Sequence, residues 1–216
     1  MKLFLDFEFS VVKIKNKIKL VPFEIGLTVY DGEKIIYHVG KEFPIYFKMK
    51  VTSSVRSENG NKAGEVMKLM EPNEFNNNSK EKNISLIYKE IYKEIMKVKK
   101  TYEIKEFYSY GSEKDQIILN EISKELPLKP IIIKDIKKEL EEVKETYKYW
   151  SLDKHIIKRK IELKNKKVKN NEFSLFIKSD GKIKNKSHNA LYDSIIASFV
   201  YHIYLNNPTL KERVTC

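Results

Sequence analysis

Apolar residues recur mostly at every second position through the first 43 residues, and at every third or fourth position after residue 80. The first spacing is that of a pleated strand and the second that of a helix, so the chain must combine both. Leu3-Phe4-Leu5-Asp6-Phe7-Glu8-Phe9 reads as a first strand, apolar enough to be buried on both faces. Lys19 to Tyr30 predicts a second strand, with Phe23, Ile25, Leu27 and Val29 alternating, and Asp31-Gly32 is a hairpin turn signal leading into a third from Lys34 to Phe43. Between Lys80 and Lys100, residues Ile84, Ile87, Ile91, Ile95 and Val98 mark one face of a helix. Glu106 to Tyr110 predicts a fourth strand ended by Gly111, followed by a helix from Ser112 to Leu126 that Pro127 stops. Ile131-Ile132-Ile133 predicts a fifth strand. Helices are expected from Ile136 to Tyr147, from Leu152 to Ile161 and from Asn189 to Leu205. Three strands followed by alternating helices and strands predict an α/β domain built on a mixed sheet.

A length of 216 residues fits one domain, residues 1–216, and a hydrophobic content of 41% is enough to give it a core. Two segments interrupt the pattern: 44–80, polar and turn-rich at its centre, and 164–187, basic and irregular. The one cysteine, Cys216, allows no intrachain disulfide and no cysteine-built zinc site, and suits a reducing cytoplasm. Asp6 and Glu8 interrupt the apolar start, so a secretory leader is not expected. No run approaches the ~18 apolar residues of a membrane span, so a soluble protein without a membrane partner is expected. A net charge of +12, almost all of it lysine, with arginine only at Arg56, Arg159 and Arg213, suits a polyanionic partner. It equally reflects a composition rich in lysine, isoleucine and asparagine, and charge alone leaves both readings open.

Four acidic positions stand out. On a strand, residues two apart share a face, so Leu3, Leu5, Phe7 and Phe9 lie on one side and Phe4, Asp6 and Glu8 on the other. Two carboxylates side by side repel each other, and a hard divalent cation would relieve that. Acids at a strand end that reach water or lysine would do so as well. Asp115 is followed by Ile118, Leu119 and Ile122 at helical spacing, which places it at the head of the inward stripe. The same residue fits a helix start in Ser112-Glu113-Lys114-Asp115, with Ser112 as N-cap. Asp193 leads Ile196, Ala197 and Val200 in the same way, no basic residue lies on that stripe nearby, and Ala190 one turn back is small. His188, five residues before Asp193, has a proton affinity suited to a general base and is also an ordinary residue to find at a helix start.

Taken together, these residues resemble the DEDD superfamily of 3′→5′ exonucleases. Asp6-Phe7-Glu8 matches the family's first motif, Asp-x-Glu on the first strand, and Asp115 matches the aspartate at the head of the helix after the fourth strand. His188-Asn189-Ala190-Leu191-Tyr192-Asp193 fits His-x-Ala-x-x-Asp, the third motif of the histidine subclass, at every fixed position. The sister subclass has tyrosine where this chain has Asn189. Phe23-Glu24-Ile25-Gly26 looks like the family's second strand, and Ser151-Leu152 like the start of its penultimate helix. Segments 44–80 and 164–187 do not follow the family pattern.

The resemblance implies a ribonuclease-H-like fold, with a central mixed five-stranded sheet flanked by helices. It implies hydrolysis of RNA or DNA, single-stranded, from the 3′ end to 5′-mononucleotides. Asp6, Glu8, Asp115 and Asp193 would bind two divalent cations, Mg²⁺ or Mn²⁺, with His188 as general base. Phe7 and Phe9 face away from the acids and read as core. Two rivals remain: a nucleic-acid-binding protein of this fold without catalysis, which the basic charge alone could support, and a ribonuclease-H-like endonuclease, which also uses clustered acids. Oligomeric state is open.

Overall fold

The computed structural model describes residues 1–14, 17–43, 77–143, 147, 151–152, 154–155 and 189–206. Among them, β2 (Lys17–Tyr30) pairs antiparallel with both β1 (Lys2–Ile14) and β3 (Ile35–Glu42). Helix α1 (Asn77–Thr101) then leads to β4 (Glu106–Ser109), and α2 (Glu113–Glu125) to β5 (Ile133–Asp135). β4 lies parallel to β1, and β5 parallel to β4, giving the order β3-β2-β1-β4-β5. Parallel neighbours cannot be joined by a hairpin, and a crossover helix is the usual solution. Helix α3 (Ile136–Val143) follows β5 directly, and α4 (Ala190–Tyr201) continues into a π-helical turn, His202–Asn206. The chain is therefore an α/β protein with a mixed five-stranded sheet flanked by helices.

Strand parity sorts the interior into two layers. Odd residues of β1 and β2, among them Leu3, Leu5, Phe7, Ile25, Leu27 and Val29, share a cluster with α1 and α2. The helical stripe Ile84, Ile87, Ile91, Ile95 and Val98 lies wholly buried in that cluster, each side chain contributing about 1.5–3 kcal/mol. The opposite cluster joins Phe4 and Tyr30 to Tyr108, to Ile136 and Leu140 of α3, and to the apolar residues of α4. Phe4 is its central ring: it stacks on Tyr108 with centroids 5.3 Å apart and meets Tyr30 and Tyr201 edge-on. Phe7 is a core residue as expected, and Phe9, partly buried, packs against the same cluster.

Several boundaries differ from expectation for identifiable reasons. β1 runs on to Ile14 because a bulge between Glu8 and Phe9 lets pairing with β2 resume beyond the acids. The fifth strand is Ile133–Asp135, not residues 131–133: Gln116 accepts the Ile133 amide (2.9 Å) and donates to the Ile131 carbonyl (2.9 Å), taking bonds a ladder would have made. The turn after β2 is as predicted. Asp31 accepts from the Glu33 and Lys34 amides, and Gly32 has φ +118°, a conformation that favours glycine. Leu152, Lys154 and His155 are helical. The rest of the helix expected to Ile161, and the segments 44–76 and 164–187, lie outside the described residues. No helix among the described residues is long and apolar enough to cross a membrane.

Candidate metal centre

The even face of β1 and β2 carries the site. Register places Asp6 opposite Gly26 and Gly26 opposite Gly40; one row further along, Glu8 faces Glu24 and Glu24 faces Glu42. Directly paired residues project to the same side, so Asp6, Glu8 and Glu24 share one face. The glycine row leaves a trough beside Asp6, and the first turn of α4 lies in it. A Cβ on Gly26 would stand 2.0 Å from the Ala190 carbonyl oxygen, and one on Gly40 would stand 3.0 Å from Leu191 Cβ. No side chain fits between β2 and the helix terminus, so the approach is one of backbone to backbone.

Helix α4 is held to this face at alternate residues of β2. Glu24 accepts from Asn189 Nδ2 (2.7 Å), Gly26 receives the helix backbone, Thr28 exchanges a buried hydrogen bond with Ser194 (2.8 Å), and the Tyr30 hydroxyl meets His202 Nδ1 (2.6 Å). Asn189 also caps the helix, its Oδ1 accepting the Tyr192 amide at 3.0 Å, while its carbonyl accepts the Asp193 amide at 2.9 Å. The docked helix carries Asp193 to the first-strand acids. One ligating oxygen from each of Asp6, Glu8 and Asp193 lies within 4.8 Å of the others, and all three residues are partly accessible.

Asp115 arrives from the other side of β1. β4 pairs with β1 only as far as Phe4. Beyond that point the Phe7 backbone N–H donates to the Asp115 carboxylate, and the Ser109 hydroxyl donates to its Oδ2. The turn that delivers it is pinned by Asp135, whose carboxylate accepts the Gly111 and Ser112 amides at 2.9 and 3.0 Å, with Gly111 at φ +69°. Ser112 occupies the predicted N-cap position, though without a side-chain cap bond, and Asp115 in the first turn is buried, as the inward stripe predicted. Asp115 is not one of the group of three, but its charge acts on Asp6 more strongly than any other.

Burial pushes the Asp6 carboxyl well above its ordinary range, and Asp115, Asp193, Glu8 and Glu24 push it further the same way. Burial likewise raises Asp115 from 3.8 to about 7, against the hydrogen bonds from Ser109 and Phe7, with Asp135 adding to the rise. An all-oxygen donor set whose ionised forms are disfavoured by one another is what a hard divalent cation stabilises. Asp6, Glu8 and Asp193 could therefore hold a hard metal ion.

Three of the five predicted site residues, Asp6, Glu8 and Asp193, come together; Asp115 stands beside Asp6; His188 lies outside the described residues. Glu24, Gly26, Gly40, Ser109, Asp135 and Asn189 support the site without having been expected there from the sequence. A glycine inside a strand is a recognised sign of close backbone approach, and Gly26 and Gly40 carried that sign. No protein-family model matches this chain, and no curated protein matches it.

Proposed function

We propose that this chain is a metal-dependent 3′→5′ exonuclease of the DEDD superfamily, histidine subclass, with a ribonuclease-H-like fold. The observation that carries the reading is the convergence of Asp6, Glu8 and Asp193 on one sheet face, with the charge of Asp115 acting on Asp6. The sheet order β3-β2-β1-β4-β5, with only β2 antiparallel to its neighbours, supports the fold. The resemblance of the sequence to three motifs of that superfamily, in chain order, supports the activity.

Asp6, Glu8 and Asp193 would hold a divalent ion, and Asp115 would complete the donor set for a second. Bound there, such ions lower the proton affinity of water and offset charge on the phosphate and the departing oxygen. Ser109 and the Phe7 amide fix the Asp115 carboxylate, whose charge acts on Asp6. The docked first turn of α4 keeps Asp193 in place without a mobile loop between the capping residue and the acid. The motif gives His188 the role of general base. Water forms the new bond to phosphorus, the P–O3′ bond breaks, and the 3′-oxygen leaves with a proton, releasing a 5′-mononucleotide. The substrate would be single-stranded RNA or DNA with a free 3′ end, and a net charge of +12 suits such a polyanion. A chain with one cysteine suits work in the cytoplasm.

The test is degradation of 5′-labelled single-stranded RNA and DNA with Mg²⁺, Mn²⁺ or chelator. A metal-dependent ladder shortening from the 3′ end is expected. A single internal cut would indicate an endonuclease, and binding without cleavage a catalytically inactive binder; either would overturn the proposal. Asp193→Ala should abolish hydrolysis while leaving the circular dichroism spectrum unchanged, and full activity in that variant would remove this site from the reaction.

A further inference from the structure

Asn189 makes two side-chain hydrogen bonds of different kinds. Its Oδ1 accepts the Tyr192 amide, which is ordinary capping, and its Nδ2 donates to Glu24 Oε1 at 2.7 Å. Serine, aspartate and threonine cap helices as well as or nearly as well as asparagine does, but none of them offers a second arm that donates to a carboxylate while the first accepts. Glu24 for its part is buried, and its register places it directly opposite Glu8, where two like charges destabilise a strand pair. A glutamate there is a poor choice for the sheet alone. It ties the helix terminus to the strand that faces the acids.

Resting on the metal-site reading above, we infer that the Glu24–Asn189 bridge is a positioning device for the ion. It fixes the first turn of α4 along β2, and through the Asn189 carbonyl's bond to the Asp193 amide it sets where the Asp193 carboxylate stands relative to Asp6 and Glu8. Glu24 and Asn189 are positioning residues. The trough at Gly26 fixes how close the helix comes, and the bridge fixes its place along the strand. Partners that orient a metal ligand from outside typically change affinity by about 10–100-fold when removed.

Mn²⁺ affinity measured by calorimetry on the whole chain separates the possible roles. Asn189→Ser keeps the cap and is too short to reach Glu24, so affinity should fall about tenfold or more. Protection of the Tyr192 amide from hydrogen exchange in the metal-free variant would show that the cap survives. Glu24→Ala should fall equally far, and the double variant Glu24→Ala/Asn189→Ser no further than either single one, because both remove one interaction. Glu24→Gln still accepts from Asn189, so it should stay within about threefold of the unmodified chain, a margin of under 1 kcal/mol. If Glu24→Gln falls as far as Glu24→Ala, the charge of Glu24 matters and the bridge does not, which overturns the inference. Unchanged affinity in Asn189→Ser overturns it too, while leaving the metal site standing. If the unmodified chain binds no Mn²⁺, the site reading fails and the inference with it. Should Glu24→Ala not fold, Asn189→Ser and Glu24→Gln decide the matter alone.

Discussion

Burial disfavours the ionised form of Asp6, and repulsion from Asp115, Asp193, Glu8 and Glu24 adds to it. A carboxylate whose affinity for protons is raised on folding contributes stability in its protonated state, fully present below its unfolded value. For Asp115 that contribution is whole below about pH 4 and lost as pH rises through about 7, and Asp6 acts in the same sense. Asp31, Glu90 and Glu106 shift downward, so their effects fall below this window. The metal-free protein should therefore melt at a lower temperature at pH 8 than at pH 5. Asp6→Asn should flatten that slope and raise the pH 8 melting temperature, by about 2–4 °C for each kcal/mol of relieved repulsion. Thermal melts of both proteins in chelator check this; an unchanged slope would mean the acids do not repel. At this scale the sequence identified the acids by parity and by the helical stripes behind them. Glu24 escaped because of the bulge. Counting from the pair Ile14–Lys17 sets Phe9 opposite Pro22 and would set Glu8 opposite Phe23, whereas the shifted register brings Glu24 to Glu8.

Helix α4 reaches the sheet through two glycines that behave differently on paper. A Cβ at Gly26 meets the backbone of Ala190 and Leu191 at 2.0–2.4 Å, which no rotamer change can relieve. A Cβ at Gly40 meets only the Leu191 side chain, at 3.0 Å and beyond. Gly26→Ala should thus cost about 1–3 kcal/mol by urea denaturation, with Mn²⁺ affinity falling as the helix is pushed off. Gly40→Ala should cost less, and Leu191→Ala should rescue Gly40→Ala but not Gly26→Ala. Rescue of both would place the helix further from β2 than described. The elements themselves were largely legible, because their apolar spacings are local properties of the chain. How they dock was not, since Gly26, Thr28 and Tyr30 acquire their partners from residues more than 160 positions away. The start of α2 shows the same division: its spacing placed Asp115 at the head of the inward stripe, but the Phe7 amide and Ser109 hydroxyl that hold the carboxylate come from other elements and left no local mark.

For the molecule as a whole, a ligand that binds only the folded state stabilises it by RT ln(1 + [L]/Kd), about 2.7 kcal/mol at one hundred times Kd. Mn²⁺ or Mg²⁺ at that excess should raise the melting temperature by several degrees at pH 8, and by much less at pH 5, where protons compete for the same carboxylates. A thermal-shift series in metal concentration at both pH values tests this; an equal shift at the two would point to binding elsewhere. The α/β class was readable from the succession of periodicities. The sheet order was not, because whether β4 lies beside β1 or beside β3 depends on crossovers that leave no local mark.

The bridge between Glu24 and Asn189 spans 165 residues of chain, and the contacts at Thr28 and Tyr30 span still more. Contacts so distant are expected to close late, after the hairpins of the N-terminal half. An ion held by Asp6, Glu8 and Asp193 would grip an arrangement that barely exists at the folding barrier. It would hardly hasten the protein's formation, and it would instead prolong the lifetime of the finished molecule.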